Sequence, residues 1–143
     1  MKHLSRSVRA GFSLAELMVV IVIIGLLATL VVPNVVAKLG KANRTKAKAD
    51  IVALDKAVED YVIDNNGRYP DSLEQLVQEN EHGESYLKQT SVPKDPWGQT
   101  YLYEPPSSGS RKFRVISYGS DGVHGGEGDD ADIDNLSIQN GEQ

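Results

Sequence analysis

The hydrophobic pattern divides the chain into one long apolar run and a mostly polar remainder. Residues 17–37 are 21 consecutive uncharged positions, with the carboxylate of Glu16 before them and Lys38 after them. A helix of this length crosses a bilayer core of about 30 Å. A carboxylate in such a segment costs about 3 kcal/mol at mid-membrane, so a residue of this kind usually has a function. The run therefore predicts a membrane helix, and Glu16 at its start is either a functional acid or a charge tolerated at the membrane interface of a plain signal anchor.

A second helical pattern continues the apolar run to about Asn65. Pro33 lies near the junction and is expected to bend or loosen the helix. After Pro33, apolar residues recur at helical spacing, at Ile51, Leu54, Val58, Tyr61 and Val62. Charged residues occupy the opposite face of this helix. The sequence Asn65-Asn66-Gly67 then predicts the end of the helix.

Residues 34–48 have few large apolar side chains and five cations, at positions 38, 41, 44, 46 and 48. We expect this segment to be solvated in a single molecule and covered by neighbours in a polymer. Its cations would then meet Asp50, Asp55 or Asp60 of another copy. A basic helix can alternatively bind anionic lipid, although acids interrupt the basic stripe here.

The C-terminal half predicts a small domain of mixed structure. Ser72 to Glu79 has the pattern of a short helix, and Thr100–Glu104 and Phe113–Ser117 alternate as two strands. Trp97 is the only tryptophan and is expected to fill the core. The fold class is therefore α+β, with the long N-terminal helix packed on an antiparallel sheet of two or three strands.

Composition narrows the classes of function. Twenty acidic residues against 15 Lys and Arg give a net charge of −5, which argues against a nucleic-acid partner. The chain has no cysteine, which excludes disulfides and thiol chemistry. No nucleophile–base pair, phosphate-binding loop or paired-carboxylate cleft indicates an enzyme. A structural subunit is therefore predicted.

The C-terminal segment combines acids with glycines. Residues 121–143 hold seven acids and no Lys or Arg, and glycines stand at 119, 122, 125, 126 and 128. Oxygen ligands on a flexible loop suit Ca²⁺ rather than zinc. The spacing is not that of an EF-hand, and a solvated acidic tail explains the composition equally well.

The start of the chain resembles the cleavage signal of type IV pilins and type II secretion pseudopilins. A short leader with three cations and no acid precedes Gly11-Phe12-Ser13-Leu14-Ala15-Glu16 and the apolar run. The resemblance implies that a prepilin peptidase cuts between Gly11 and Phe12 and methylates the new amino group of Phe12. It also implies that Glu16 pairs with the Phe12 amine of a neighbouring subunit during assembly.

Further motifs make the whole chain similar to the major pseudopilins of type II secretion systems. These motifs are Gly67-Arg68-Tyr69-Pro70, Asp95-Pro96-Trp97-Gly98, residues 117–122 and residues 125–133. Type IV pilins usually have a larger domain with a cysteine pair, which this chain lacks. One departure is Asp134-Asn135-Leu136, where the family commonly has Asn-Trp, so we expect the C-terminal tail to pack differently.

The resemblance implies a type IV pilin-like fold with a calcium site in the acidic loop. The corresponding ligands are the side chains of Asp121 and Asp132 and the carbonyls of Tyr118 and Val123, with Asp129 and Asp130 as further candidates.

The same resemblance implies an order of segments along the chain. The leader is 1–11, the transmembrane or filament-core helix 12–33, the amphipathic stalk helix 34–66, and the periplasmic domain 67–143 with its calcium loop at 117–134. The protein is expected in the bacterial inner membrane as a single-pass protein. It would polymerise with itself into a periplasmic pseudopilus that drives export of folded proteins across the outer membrane. Expected partners are minor pseudopilins, the prepilin peptidase and the inner-membrane assembly platform.

Two other classes of protein fit parts of this sequence. The signal is shared by surface pili used for adhesion or DNA uptake, and an anchored calcium-binding protein that never polymerises would explain every feature except Glu16. The five cations after the span outnumber the three of the leader. The positive-inside rule would then favour a cytoplasmic C-terminal side, whereas the resemblance places that side in the periplasm.

Overall fold

The computed structural model describes residues 11–80, 83–107 and 112–141. The chain forms two compact units, Met1–Lys38 and Leu39–Gln143, and each is described by itself. Apart from Gly11, the predicted leader lies outside the described residues.

The first unit contains the start of a long helix. Helix α1 (Leu14–Asp64) begins directly after Ser13. Its large apolar side chains are exposed from Leu14 to Val32, and Val35 and Val36 are exposed as well. By length and composition α1 is the one described helix able to cross a membrane. α1 continues through Pro33, so the helix does not end there, and the bend expected at this position stays a prediction. A proline removes one donor, and the hydrogen bonds on either side can carry the helix past it.

In the second unit, α1 supplies one side of the hydrophobic core. Ile51, Leu54 and Val58 follow one another at three and four residues, so they share a face of the helix, and all three are fully buried. α1 ends at Asp64, where Gly67 N donates to Val62 O at 2.8 Å in the predicted stop sequence. The opposite side of the core includes Leu76, Val115 and Ile133.

The sheet is antiparallel and has three short strands in the order β1-β2-β3. These strands are β1 (Leu102–Glu104), β2 (Arg114–Ser117) and β3 (Ile133–Asp134). Leu102 pairs with Ile116, and Ser117 pairs with Ile133. The first two strands lie within the predicted strands, and the third completes the sheet after the acidic loop.

The remaining helical segments are short. The helix predicted at 72–79 is a 3-10 helix, Leu73–Val77. Helix α2 (Asn135–Gln139) follows β3 directly and is capped by Asp134, whose carboxylate accepts from two backbone amides. Trp97 is half-buried and packs against the core, as predicted.

The segment expected to be solvated at 34–48 is instead partly covered within the molecule. Gly40 and Ala47 are buried, and Arg44 Nη1 donates to Ala131 O at 2.9 Å. The reason is that the C-terminal loop lies on this part of α1, a long-range contact that helical periodicity does not reveal.

Two of the three acids expected to meet another copy have partners in their own chain. Asp50 accepts from Tyr101 Oη at 3.1 Å and pairs with Lys46 Nζ at 2.5 Å. Asp55 accepts from Asn135 Nδ2 at 2.7 Å. Asp60 is exposed. Contact of these three acids with another copy stays a prediction.

Candidate functional site

The first turn of α1 holds the carboxylate of Glu16 against the backbone that precedes the helix. Ser13 N donates to Glu16 Oε2 at 2.8 Å, and Ala15 N donates to Ser13 Oγ at 3.2 Å. In this arrangement a Ser-x-x-Glu sequence satisfies free amides at a helix start. The local sequence thus fixes Glu16 at the beginning of the apolar run.

The start of α1 stabilises a negative charge and leaves it accessible to a neighbouring molecule. The free amides of a helix start carry partial positive charge, which stabilises a nearby carboxylate. Phe12 precedes Glu16 by four residues and is 81% exposed. A neighbouring molecule can therefore approach both residues at the same end of the helix.

The acidic loop is closed by backbone contacts between its two ends. Ser120 N donates to Asp129 O at 3.0 Å, and Gly119 lies so close that an added Cβ would be 2.7 Å from Asp129 O. Gly119 also has a positive φ of 68°, which an L-residue adopts only with strain. Glycine at this position is thus required by both the backbone conformation and the space.

The four acidic candidates of the loop take separate positions. Asp121 Oδ1 accepts from Val123 N at 3.1 Å, and Asp132 Oδ1 accepts from Gly125 N at 3.0 Å. The carboxylate of Asp130 is hydrogen-bonded to Ser120 Oγ. The carboxylate of Asp129 lies over α1 at Gly40, where an added Cβ would be 1.9 Å from Asp129 Oδ2.

The donors fit a hard cation by chemistry, but the acidic side chains of the described residues do not form a cluster of three. Among the residues that the structure describes, no three His, Cys, Asp or Glu side chains are placed to hold a metal ion. Asp121 and Asp132 supply carboxylate oxygens near the two ends of the loop, and the carbonyls of Tyr118 and Val123 belong to the same stretch. Oxygen donors of these two kinds are those that Ca²⁺ prefers.

A polar network of the second unit connects α1 with the sheet. Burial, together with the carboxylate of Asp50 that accepts its hydroxyl, raises the pKa of Tyr101 above its ordinary value. Burial also raises the pKa of Tyr103 to about 12, with smaller effects of Tyr69 and Asp71. Both hydroxyls therefore stay protonated in the folded protein at neutral pH.

Two protein-family models match this chain, one at its N-terminal part and one over most of the remainder. Residues 6–32 match the prokaryotic N-terminal methylation motif. Residues 34–136 match the family of the type II secretion system (T2SS), protein G. The chain belongs to the type II secretion system protein G family. This match includes the stalk part of α1, the sheet and the acidic loop.

Individual members of the protein G family are similar to this chain over nearly its full length. The chain is 43% identical to the type II secretion system core protein G of Vibrio cholerae, covering 92% of this chain and 94% of the relative. It is 41% identical to the Pseudomonas aeruginosa protein of the same name, with 92% and 98% covered. The crystal structure of the major pseudopilin from the type 2 secretion system of enterohaemorrhagic Escherichia coli is 33% identical. It superimposes with a TM-score of 0.57 over 71% of this chain and 88% of that chain.

These relatives confirm the predicted family and the type IV pilin-like fold, and they favour secretion over a surface pilus. The family is one of structural pseudopilin subunits. Membership implies self-polymerisation and assembly with other components of a secretion system. The methylation motif and the exposed apolar start of α1 are consistent with anchoring in the inner membrane.

Sequence reasoning missed the residues that position the loop. His124 has its Nδ1 2.5 Å from Asp132 Oδ2. Gly40 and Arg44 contact the loop from α1. The Gly-rich composition indicated a bent loop, but no local signal links positions 40 and 44 with residues some 90 positions later.

Proposed function

We propose that this chain is the core subunit of a periplasmic pseudopilus, the filament that drives export of folded proteins through an outer-membrane channel. The observation that carries the proposal is the capped carboxylate of Glu16 at the start of an exposed apolar helix. A plain membrane anchor has no use for this acid, whereas a subunit that packs its apolar helix against others can use it for alignment.

Cleavage between Gly11 and Phe12 would create an amino group next to this acid. When subunits pack, Glu16 leaves water, and a buried carboxylate without a cation costs several kcal/mol. The methylated Phe12 amine of the neighbouring subunit supplies that cation. The pair sets the axial register at a place where apolar side chains alone permit sliding.

Before assembly the subunit is a single-pass inner-membrane protein whose second unit faces the periplasm. The prepilin peptidase processes it at the membrane, and the assembly platform adds it to a filament that also contains minor pseudopilins. The names of the relatives and the N-terminal methylation motif support this arrangement. The membrane helices form the filament core, and the sheet domains form its surface.

The experiment compares Glu16→Gln with Ser13→Ala in cells that contain the native peptidase and assembly platform. Glu16→Gln retains an acceptor for Ser13 N but removes the charge. Ser13→Ala removes the cap, which costs about 1 kcal/mol of helix stability, but retains the charge. The readouts are the N-terminal mass of the membrane-inserted chain and the yield of filaments.

We expect both variants to insert and to begin at methylated Phe12, with filaments lost only in Glu16→Gln. Normal filaments in Glu16→Gln would refute the role of the charge. A wild-type chain that still begins at Met1 would refute the proposed processing.

We further propose that the acidic loop binds Ca²⁺ through Asp121 and Asp132, with the carbonyls of Tyr118 and Val123. Asp129 and Asp130 are weaker candidates because their carboxylates contact α1 and Ser120. Bound Ca²⁺ supplies positive charge that offsets repulsion among the loop carboxylates. Arg44 and Gly40 then hold the closed loop on the stalk helix.

A further inference from the structure

An open polar cavity lies at the C-terminal end of α1 and shares no residue with the acidic loop or with the start of the helix. Its volume is about 820 Å³, within the range of about 300–1,000 Å³ that small-molecule sites occupy. Its walls include residues from the last turn of α1, from the turn that follows, from the segment 75–80, and Tyr86. Neither Glu16 nor any proposed calcium ligand lines this cavity.

Two tyrosines of the cavity lining hold each other in place. The rings of Tyr61 and Tyr86 meet edge to face, with their centroids 5.3 Å apart and an angle of 62° between their planes. Tyr61 Oη donates to Gln75 Oε1 at 3.3 Å, and Asn65 Nδ2 donates to Tyr86 Oη at 3.5 Å. Both tyrosines are partly exposed and line the cavity, so a bound molecule can contact their side chains.

The amide side chains of the lining have hydrogen-bonding capacity left for a ligand. Five of the ten lining residues are Asn or Gln. Gln75 Oε1 accepts from Tyr61 Oη and from Asp71 N, the latter at 3.1 Å, which fixes the orientation of the amide and leaves its Nε2 as a donor. Within the described residues, the side chains of Arg68 and Gln78 have no hydrogen-bond partner, and both are exposed.

The charges of the lining narrow the class of ligand. The carboxylates of Asp64 and Glu79 and the guanidinium of Arg68 give the lining a net charge of −1. This charge is too small to select a polyanion or a polycation. An apolar ligand would cover the amides without pairing them, which is unfavourable. A neutral ligand with many hydrogen-bonding groups therefore fits the cavity best.

We propose that this cavity binds a neutral oligosaccharide. A sugar hydroxyl both donates and accepts hydrogen bonds, as the amide side chains of the lining do, and carboxylates and guanidinium groups pair with the same hydroxyls. The C–H groups on one face of a sugar ring are apolar and pack on the accessible part of Tyr61 or Tyr86. The N-acetyl group of an amino sugar adds an amide that Asn and Gln side chains pair with. Binding requires only the folded second unit and does not depend on filament assembly.

The test measures binding to the full-length chain in a detergent without a sugar headgroup, because such a headgroup would compete for the cavity. The probes are chitotetraose, whose sugars are N-acetylated, cellotetraose, whose sugars carry hydroxyls only, and the cationic peptide tetralysine. Isothermal titration calorimetry gives the Kd of each probe. The melting temperature of each variant checks that it is folded.

The variants Arg68→Ala and Gln78→Ala each remove one exposed group of the lining. The matched control is Gln89→Ala, because Gln89 is exposed and lies outside the lining. We expect chitotetraose to bind the wild type with a millimolar or lower Kd. Loss of one hydrogen bond should weaken binding about threefold to tenfold in each cavity variant, and Gln89→Ala should bind like the wild type.

No binding of either oligosaccharide at millimolar concentrations would overturn the proposal. Equal affinity in all variants would place the binding outside the cavity and would overturn it as well, as would tighter binding of tetralysine than of either sugar. The order of the two sugars distinguishes the source of the ligand. Tighter binding of chitotetraose supports amino-sugar chains such as those of the bacterial cell wall, and tighter binding of cellotetraose supports an unmodified glucan.

Discussion

Tyr101 and Tyr103 stand two positions apart in the sequence and have different surroundings. The hydroxyl of Tyr101 donates to Asp50 at 3.1 Å and so connects the residue before β1 with α1. The hydroxyl of Tyr103 is buried and has no hydrogen-bond partner among the described residues. A hydrogen bond to a charged group contributes about 1.5–3 kcal/mol, whereas an unpaired buried hydroxyl contributes nothing favourable.

The two tyrosines therefore give a matched pair of variants. Tyr101→Phe should lower the free energy of unfolding by about 2 kcal/mol, and Tyr103→Phe should leave it unchanged or raise it slightly. Chemical denaturation of the full chain in detergent at pH 7 measures both. Equal losses in the two variants would show that the bond to Asp50 contributes no more than the ring packing around it.

The same comparison has a predicted pH dependence. Because burial raises the pKa of Tyr101 in the folded state, the folded protein retains this proton at a pH where the unfolded chain, with a tyrosine pKa near 10, has lost it. The stabilising contribution is complete below pH 10 and declines above it. The advantage of the wild type over Tyr101→Phe should accordingly be constant up to about pH 10 and shrink as the pH rises above it.

The acidic loop and α1 act together at the level of secondary-structure elements. The loop joins β2 to β3 and lies on α1 through Arg44 and the close approach of Asp129 to Gly40. Two other carboxylates, those of Asp121 and Asp132, bond backbone amides of the loop itself. This division separates the proposed ligands from the residues that attach the loop.

Calcium should therefore affect the two kinds of acid differently. Millimolar Ca²⁺ should raise the melting temperature of the full chain in detergent by several degrees relative to EGTA. Asp121→Ala should abolish this rise, and Asp129→Ala should retain it. Asp121→Ala also removes the hydrogen bond from Val123 N, which lowers the melting temperature with and without calcium. The difference between the two melting temperatures therefore still reports calcium binding alone. No rise in the wild type, or the same rise in Asp121→Ala, would contradict the site.

Local signals predicted the elements of this fold better than their contacts. The apolar spacing of Ile51, Leu54 and Val58 identified the buried face of α1, and Asn65-Asn66-Gly67 identified its end. The covered position of Arg44 was not predictable, because its partner Ala131 is 87 residues away.

At the level of the whole chain, each unit has a distinct task. The first exposes an apolar helix with one acid at its start, and the second folds around its own core. An exposed apolar helix is stable either in a membrane or packed against other copies of itself. The chain's membership of the protein G family agrees with both environments for the first unit. The folded second unit is then available as the surface of a filament.

The most direct measurement is protein secretion by the parent bacterium after deletion of this chain. We expect proteins that normally leave the cell to accumulate in the periplasm. Plasmid-borne wild type should restore their export, and Glu16→Gln, inserted at the same level, should not. Unchanged secretion in the deletion strain, with loss of a surface filament instead, would contradict the account and indicate a pilus subunit.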